Sequence, residues 1–167
     1  TKRNRFKYLN FRESLARADI DVYRSVKHYN VNPKTGDNFL HDSLQEYREL
    51  CLHRAFLDVH SKIFPLCQSI AQVVYHRELI FRTILDQVTC ENKLSLEALM
   101  VLLSSMARDL QGDFLGYLGP IVSAVETLFT TGGGQDAAII EHAFTWLYRI
   151  CKFLVRELTG SIEAFAE

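Results

Sequence analysis

Apolar residues recur at helical spacing along nearly the whole chain, and no long segment alternates apolar and polar residues as a half-buried strand does. Little interrupts that pattern. Glycine and proline together number 11 in 167 residues, against a usual share of about 12%. Leucine is the commonest residue, at 22, and Leu, Ile, Val and Phe together supply 54 residues, well above the range of disordered chains. The expected class is all-α, with a length suited to one domain or a few turns of a repeat array.

The period places the elements. Residues 1–10 alternate basic and aromatic groups without helical spacing and are expected to form an extended arm. Short helical pieces follow from Phe11 and from Ile20, with Asp19 between them as a cap, before turn chemistry at Pro33, Gly36 and Asp37. Residues 1–36 are thus read as a basic arm with short helices, and residues 37–167 as helical repeats. In the latter, helices are expected over residues 38–52, 54–69 (ended or kinked at Pro65) and 71–88. A fourth would be capped by Ser95 and a fifth opened by Pro120. The last, capped by Asp136, would bury Ile140, Phe144, Leu147, Cys151, Leu154 and Leu158. Trp146, Tyr148 and Phe153 lie off that stripe, leaving apolar surface on two sides and room for a further layer. Ile63-Phe64-Pro65-Leu66 and Leu118-Gly119-Pro120-Ile121 resemble each other across 55 residues, as in a degenerate helical-pair repeat. The expected architecture is antiparallel helical pairs stacked as a short solenoid.

Composition narrows the function. The longest run without Asp, Glu, Lys or Arg, residues 63–76, is 14 long, and that at residues 114–125 is 12 long; both are too short for a membrane helix of roughly 20. No secretory signal follows the basic start, and the absence of an initial Met fits an excised fragment. Cys51, Cys67, Cys90 and Cys151 lie singly on apolar segments, as reduced thiols do. The net charge of −1 conceals an asymmetry: residues 1–27 carry eight Lys/Arg and three Asp/Glu, whereas the remainder carries eleven and seventeen. A uniform polycation is excluded, while a locally basic surface is not.

No catalytic pattern stands out. HExxH, GxSxG and phosphate-loop spacings are absent, and Gly132-Gly133-Gly134 lacks a following Lys-Ser/Thr and reads as a connector. His53, His60 and Cys67 recur every seven residues, a poor spacing for metal ligands on one helix. Asp109 and Asp113 are spaced like a carboxylate pair, but Gly112 should break the helix between them, and Asp113 is expected to cap instead. No cofactor, metal, membrane or small-molecule substrate is expected. The arm has the best functional case. Lys2, Arg3, Arg5 and Lys7 interleave with Phe6 and Tyr8, so cations could neutralise phosphates while rings stack on unpaired bases. The plainer reading, which basic termini favour, is a solvated tail whose two rings pack on the first helices.

At Ala107-Arg108-Asp109-Leu110-Gln111-Gly112-Asp113-Phe114 the chain stops looking generic. The stretch resembles a motif near the amino terminus of the very large HEAT-repeat scaffolds of the small-subunit processome, the small nucleolar RNA-associated protein twenty family. Other matching blocks follow the family order: Arg5-Phe6-Lys7 with Phe11-Arg12-Glu13, Ile20-Asp21-Val22, Cys67-Gln68-Ser69 with Val74-Tyr75-His76, and Phe144 with Lys152 to Leu154. Together they span residues 5–158. Within them, Cys67, Gln68, Tyr75, His76, Arg108, Asp109, Gln111, Asp113 and Phe114 are expected to be structural. Asp109 would tie down the turn into the next helix, and Tyr75-His76 would lock a junction by hydrogen bonds. The resemblance implies a HEAT-like solenoid acting as a nucleolar, non-catalytic scaffold, with pre-ribosomal RNA and processome proteins as partners. Family members are far longer than this chain. Periodicity alone would equally suit a helical-repeat adaptor or transport module.

Overall fold

The computed structural model describes residues 38–131 and 136–159, and the basic arm with Lys2, Arg3, Arg5, Phe6, Lys7 and Tyr8 lies outside them. The described residues form seven α-helices and three short 3-10 segments, with no strand among them.

Helix α1 (Phe39–Leu50) opens at Asn38, and α2 (Arg54–Ile63) buries Ala55, Phe56, Val59 and Ile63. The helix expected over residues 54–69 stops at Ile63. Pro65 falls in a 3-10 segment, Phe64–Leu66, because it has no N–H to extend the α-helical ladder. Ser69 belongs to the next element, accepting from Gln72 N at 3.3 Å to cap α3 (Ile70–Tyr75). The helix expected over residues 71–88 divides at His76 into α3 and α4 (Arg77–Leu85).

After the 3-10 segment Cys90–Asn92 comes α5 (Lys93–Leu110), the longest helix. Its cap is Asn92, so Ser95 is not the expected one. Ser95 is buried in the first turn, donating to Asn92 O at 3.0 Å and lying 3.1 Å from His53 Nδ1. A 3-10 stretch, Gln111–Tyr117, leads into α6 (Leu118–Thr130), where Pro120 sits in the first turn. Asp136 caps α7 (Ala137–Phe153) by accepting from Ala138 N at 3.0 Å, and residues 155–159 add a further helical turn.

Helix α5 is the hub. It packs most extensively on α7 and α1, and also on α4 and α2. Lys93 at the start of α5 pairs with Asp136 at the start of α7, and Arg108 near the end of α5 reaches Phe153 at the end of α7, so these helices run parallel. That is the relation between matching helices of successive pairs, α4/α5 and α6/α7. Helix α1 runs the other way: its start meets Asp109, and Cys51 beyond its end meets Leu94. Leu96, Leu99, Leu102, Leu103, Met106 and Leu110 of α5 are wholly buried at the centre of one continuous core.

The last helix turns a different face inward from the expected one. Ile139, Ala143, Trp146, Ile150 and Leu154 are buried. Phe144 and Tyr148 are 60% and 66% exposed, and Cys151 is exposed as well. Of the expected stripe, Leu154 alone is fully enclosed, with Ile140, Leu147 and Leu158 half-buried. Ala143 and the bulky Trp146 are both enclosed in the core on this face.

Candidate functional site

The stretch from Arg108 to Phe114 forms a corner where α5 ends, and Arg108, Asp109, Asp113 and Phe114 each hold a different neighbour. Asp109 is buried, and both its carboxylate oxygens accept from the start of α1: Oδ1 from Phe39 N at 3.1 Å and Oδ2 from Leu40 N at 2.8 Å. Asn38 Oδ1 takes His41 N at 3.1 Å. Two side chains therefore satisfy three backbone donors that a helix start leaves free, and the carboxylate lies at the positive end of the α1 dipole. Asp109 ties down the start of α1, 70 residues upstream, rather than the turn into the next helix as expected.

Asn38 extends the junction to a third element. Its Nδ2 donates to Cys67 O at 2.7 Å, fastening the end of the Phe64–Leu66 segment to α1. Cys67 is fully buried, and burial, followed by the nearby Asp109 charge, pushes its thiol up to about 12, so it stays protonated and unreactive at neutral pH. Burial also lifts the Asp109 carboxyl to about 7, against the opposing pull of the Leu40 and Phe39 N–H groups and of Arg108. The Arg108 guanidinium lies 3.4 Å from the ring centroid of Phe39 and 5.5 Å from that of Phe153, so one cation bridges α1 and α7 across the end of α5.

Gln111 turns the chain at this corner with φ of 46°, the one positive φ among described non-glycine residues. Beyond it, the motif faces α4. Phe114 is buried edge-to-face against Phe81 at 6.1 Å and lies 5.4 Å from Tyr117, which in turn sits 4.3 Å from Phe81. The Tyr117 hydroxyl donates to Glu78 Oε1 at 2.8 Å, and burial, then that carboxylate, pushes it up to about 12. Asp113 faces Arg77 at 3.8 Å, and Tyr117, at the start of α6, makes no side-chain cap hydrogen bond.

The structure brings Cys67, Arg108 and Asp109 to one junction and Asp113 and Phe114 to an adjoining one. Gln68 stands apart on the surface, its amide donating to Phe64 O at 2.6 Å and its N–H to Gln72 Oε1 at 3.0 Å. Tyr75 and His76 do mark the α3–α4 junction, but as an edge-to-face ring contact at 4.8 Å, with Tyr75 73% exposed. Asn38 and Tyr117 complete these junctions from outside the motif stretches. Asn38 carries a readable signal, a capping residue just before an apolar helical run, whereas nothing local announces the partner of Tyr117.

Asp109 and Asp113 serve different elements, and His60 stacks on Phe64 at 4.9 Å rather than joining His53 and Cys67. No group of three or more His, Cys, Asp or Glu side chains suited to a metal occurs among the described residues. None of the described helices is long and apolar enough to cross a membrane. What the arrangement can do is fix the relative positions of α1, α4, α5 and α7.

No protein-family model matches the chain. It is similar to two curated proteins, both named U3 small nucleolar RNA-associated protein 20. The identity is 25% over 146 residues for the Schizosaccharomyces pombe protein and 24% over 159 residues for that of Saccharomyces cerevisiae. Those matches cover 85% and 95% of this chain, but 6% of the length of each relative.

Proposed function

We propose that this chain is part of a non-catalytic scaffold of the small-subunit processome, acting in the nucleolus to support processing of pre-ribosomal RNA toward the small-subunit RNA. The observation that carries the reading is similarity running through most of the chain to two relatives whose names join them to the U3 small nucleolar RNA. The use made of the motif residues agrees with it. Arg108, Asp109 and Phe114 hold helices together through packing and hydrogen bonds, as a scaffold requires.

Processome proteins and pre-ribosomal RNA are the proposed partners. The exposed flank of α7, bearing Phe144 and Tyr148, together with Val155 just beyond the helix, suits a further helical layer or a partner protein. Lys2, Arg3, Arg5 and Lys7, interleaved with Phe6 and Tyr8, suit single-stranded RNA. Depleting the full protein should lower mature small-subunit RNA and accumulate its precursors; unchanged processing would refute the proposal. A protein with no nucleolar pool would point instead to a helical-repeat adaptor.

A further inference from the structure

Towards its carboxyl end, one flank of α7 is apolar and open. Tyr148 and Val155 are 66% and 53% exposed, and Cys151 between them is exposed as well. The three recur at helical spacing and so form one row along the surface. A contiguous apolar row in the open marks a surface that another segment covers. The charges beside it have one sign. Between Tyr148 and Thr159 the exposed charged side chains are Arg149, Lys152 and Arg156. Glu157, the one carboxylate in that stretch, is half-buried and turned toward Gly112 at the end of α5. The helix dipole favours cations at this end, but it does not account for the apolar row among them.

A segment that matches both features comes next in the chain. Residues 160–167, which lie outside the described residues, read Gly-Ser-Ile-Glu-Ala-Phe-Ala-Glu. They hold two large apolar side chains, Ile162 and Phe165, and two carboxylates, Glu163 and Glu167, with no cation. Gly160 is the residue type that lets a chain leave a helix and reverse. Tyr148 lies 12 residues before Gly160, about 18 Å at the helical rise. The five residues from Gly160 to Phe165 span about 17 Å when extended. Ile162 and Phe165 can therefore reach the row from Val155 to Tyr148, while Phe144, a further turn away, stays open. So short a tether holds the segment at an effective concentration of about 1 mM, above that of a second copy in dilute solution.

We infer that residues 160–167 fold back on α7, with Ile162 and Phe165 covering Tyr148, Cys151 and Val155, and with Glu163 and Glu167 facing Arg149, Lys152 and Arg156. The inference goes beyond the proposed scaffold role and does not depend on it.

Cys151 reports on the contact from within the row. In the full chain, without RNA or partners, thiol alkylation followed peptide by peptide should modify Cys151 at least about tenfold more slowly than in urea. Ile162→Ser with Phe165→Ser should speed that reaction at least about fivefold. Glu163→Gln with Glu167→Gln should speed it about twofold, as exposed ion pairs allow. Cys90, whose Sγ lies 3.2 Å from Leu128 O, should keep its rate throughout and show that the core is intact. A Cys151 as reactive in the folded chain as in urea would overturn the inference. So would a rate untouched by the Ile162 and Phe165 pair, or protection that fades on dilution, which would assign the row to a second copy. None of these readouts involves ribosomal RNA processing, so this contact and the scaffold role can fail separately.

Discussion

Asp109 stabilises the fold through two backbone hydrogen bonds, and its protonation should leave a measurable trace. Asp109→Ala strands two N–H donors at the start of α1 and should destabilise the chain by about 2 kcal/mol in urea unfolding. Burial raises the Asp109 carboxyl to about 7 in the folded chain, whereas in the unfolded chain it titrates near 4. Folding therefore takes up a proton between those values. The associated stability is complete below about pH 4 and is lost as the pH rises through 7. Asp109→Asn cannot titrate, so the stability of the wild type relative to this variant should fall steadily from about pH 4 to about pH 7.5. A flat difference over that range would contradict the assignment. Gln111 holds a backbone conformation that glycine adopts freely, so Gln111→Gly should stabilise the chain by about 1 kcal/mol, read as a higher urea midpoint at constant slope. The motif around these residues is visible in the sequence, but their partners are not. Asp109 closes on Phe39 and Leu40 from 69 to 70 residues away, and local spacing carries no information about that distance.

Among the elements, α7 shows both the strength and the limit of periodicity. Its extent and its Asp136 cap are legible because an amphipathic run and a capping side chain are local features. Its inward face is not. Ile140–Phe144–Leu147–Cys151 and Ile139–Ala143–Trp146–Ile150 are both apolar rows at helical spacing, and the choice between them depends on the shape of α5. Substitution separates the two rows. Trp146→Ala empties a core position and should destabilise the chain by about 3–5 kcal/mol, whereas Phe144→Ser should stay within about 0.5 kcal/mol, both measured by thermal unfolding. Comparable losses would return α7 to the face expected from sequence. The divided helix at His76 and the early stop at Ile63 were hidden for a related reason. A one-residue break leaves apolar spacing almost intact, and Pro65 bars a helix without saying where it ends.

For the whole molecule, the all-α class and the helical pairs were legible because every long segment shares one period, while the antiparallel seating of α1 on α5 follows from contacts no period encodes. The open flank of α7 belongs to this scale. Replacing Phe144 and Tyr148 together by Glu in the full protein should leave the fold intact yet shift the protein from large pre-ribosomal particles to lighter fractions in sedimentation. Co-sedimentation unchanged from wild type would show that the flank seats nothing. The Asp109 clamp has one more consequence, for the order in which the chain takes shape. During synthesis α1 leaves the ribosome about 70 residues ahead of the carboxylate that closes its first turn, a wait of roughly 4–14 s at ordinary elongation rates. For those seconds Asn38 is the one described side chain holding the helix start. The first of the described helices to be made is therefore fastened at its start only once the far end of α5 has emerged.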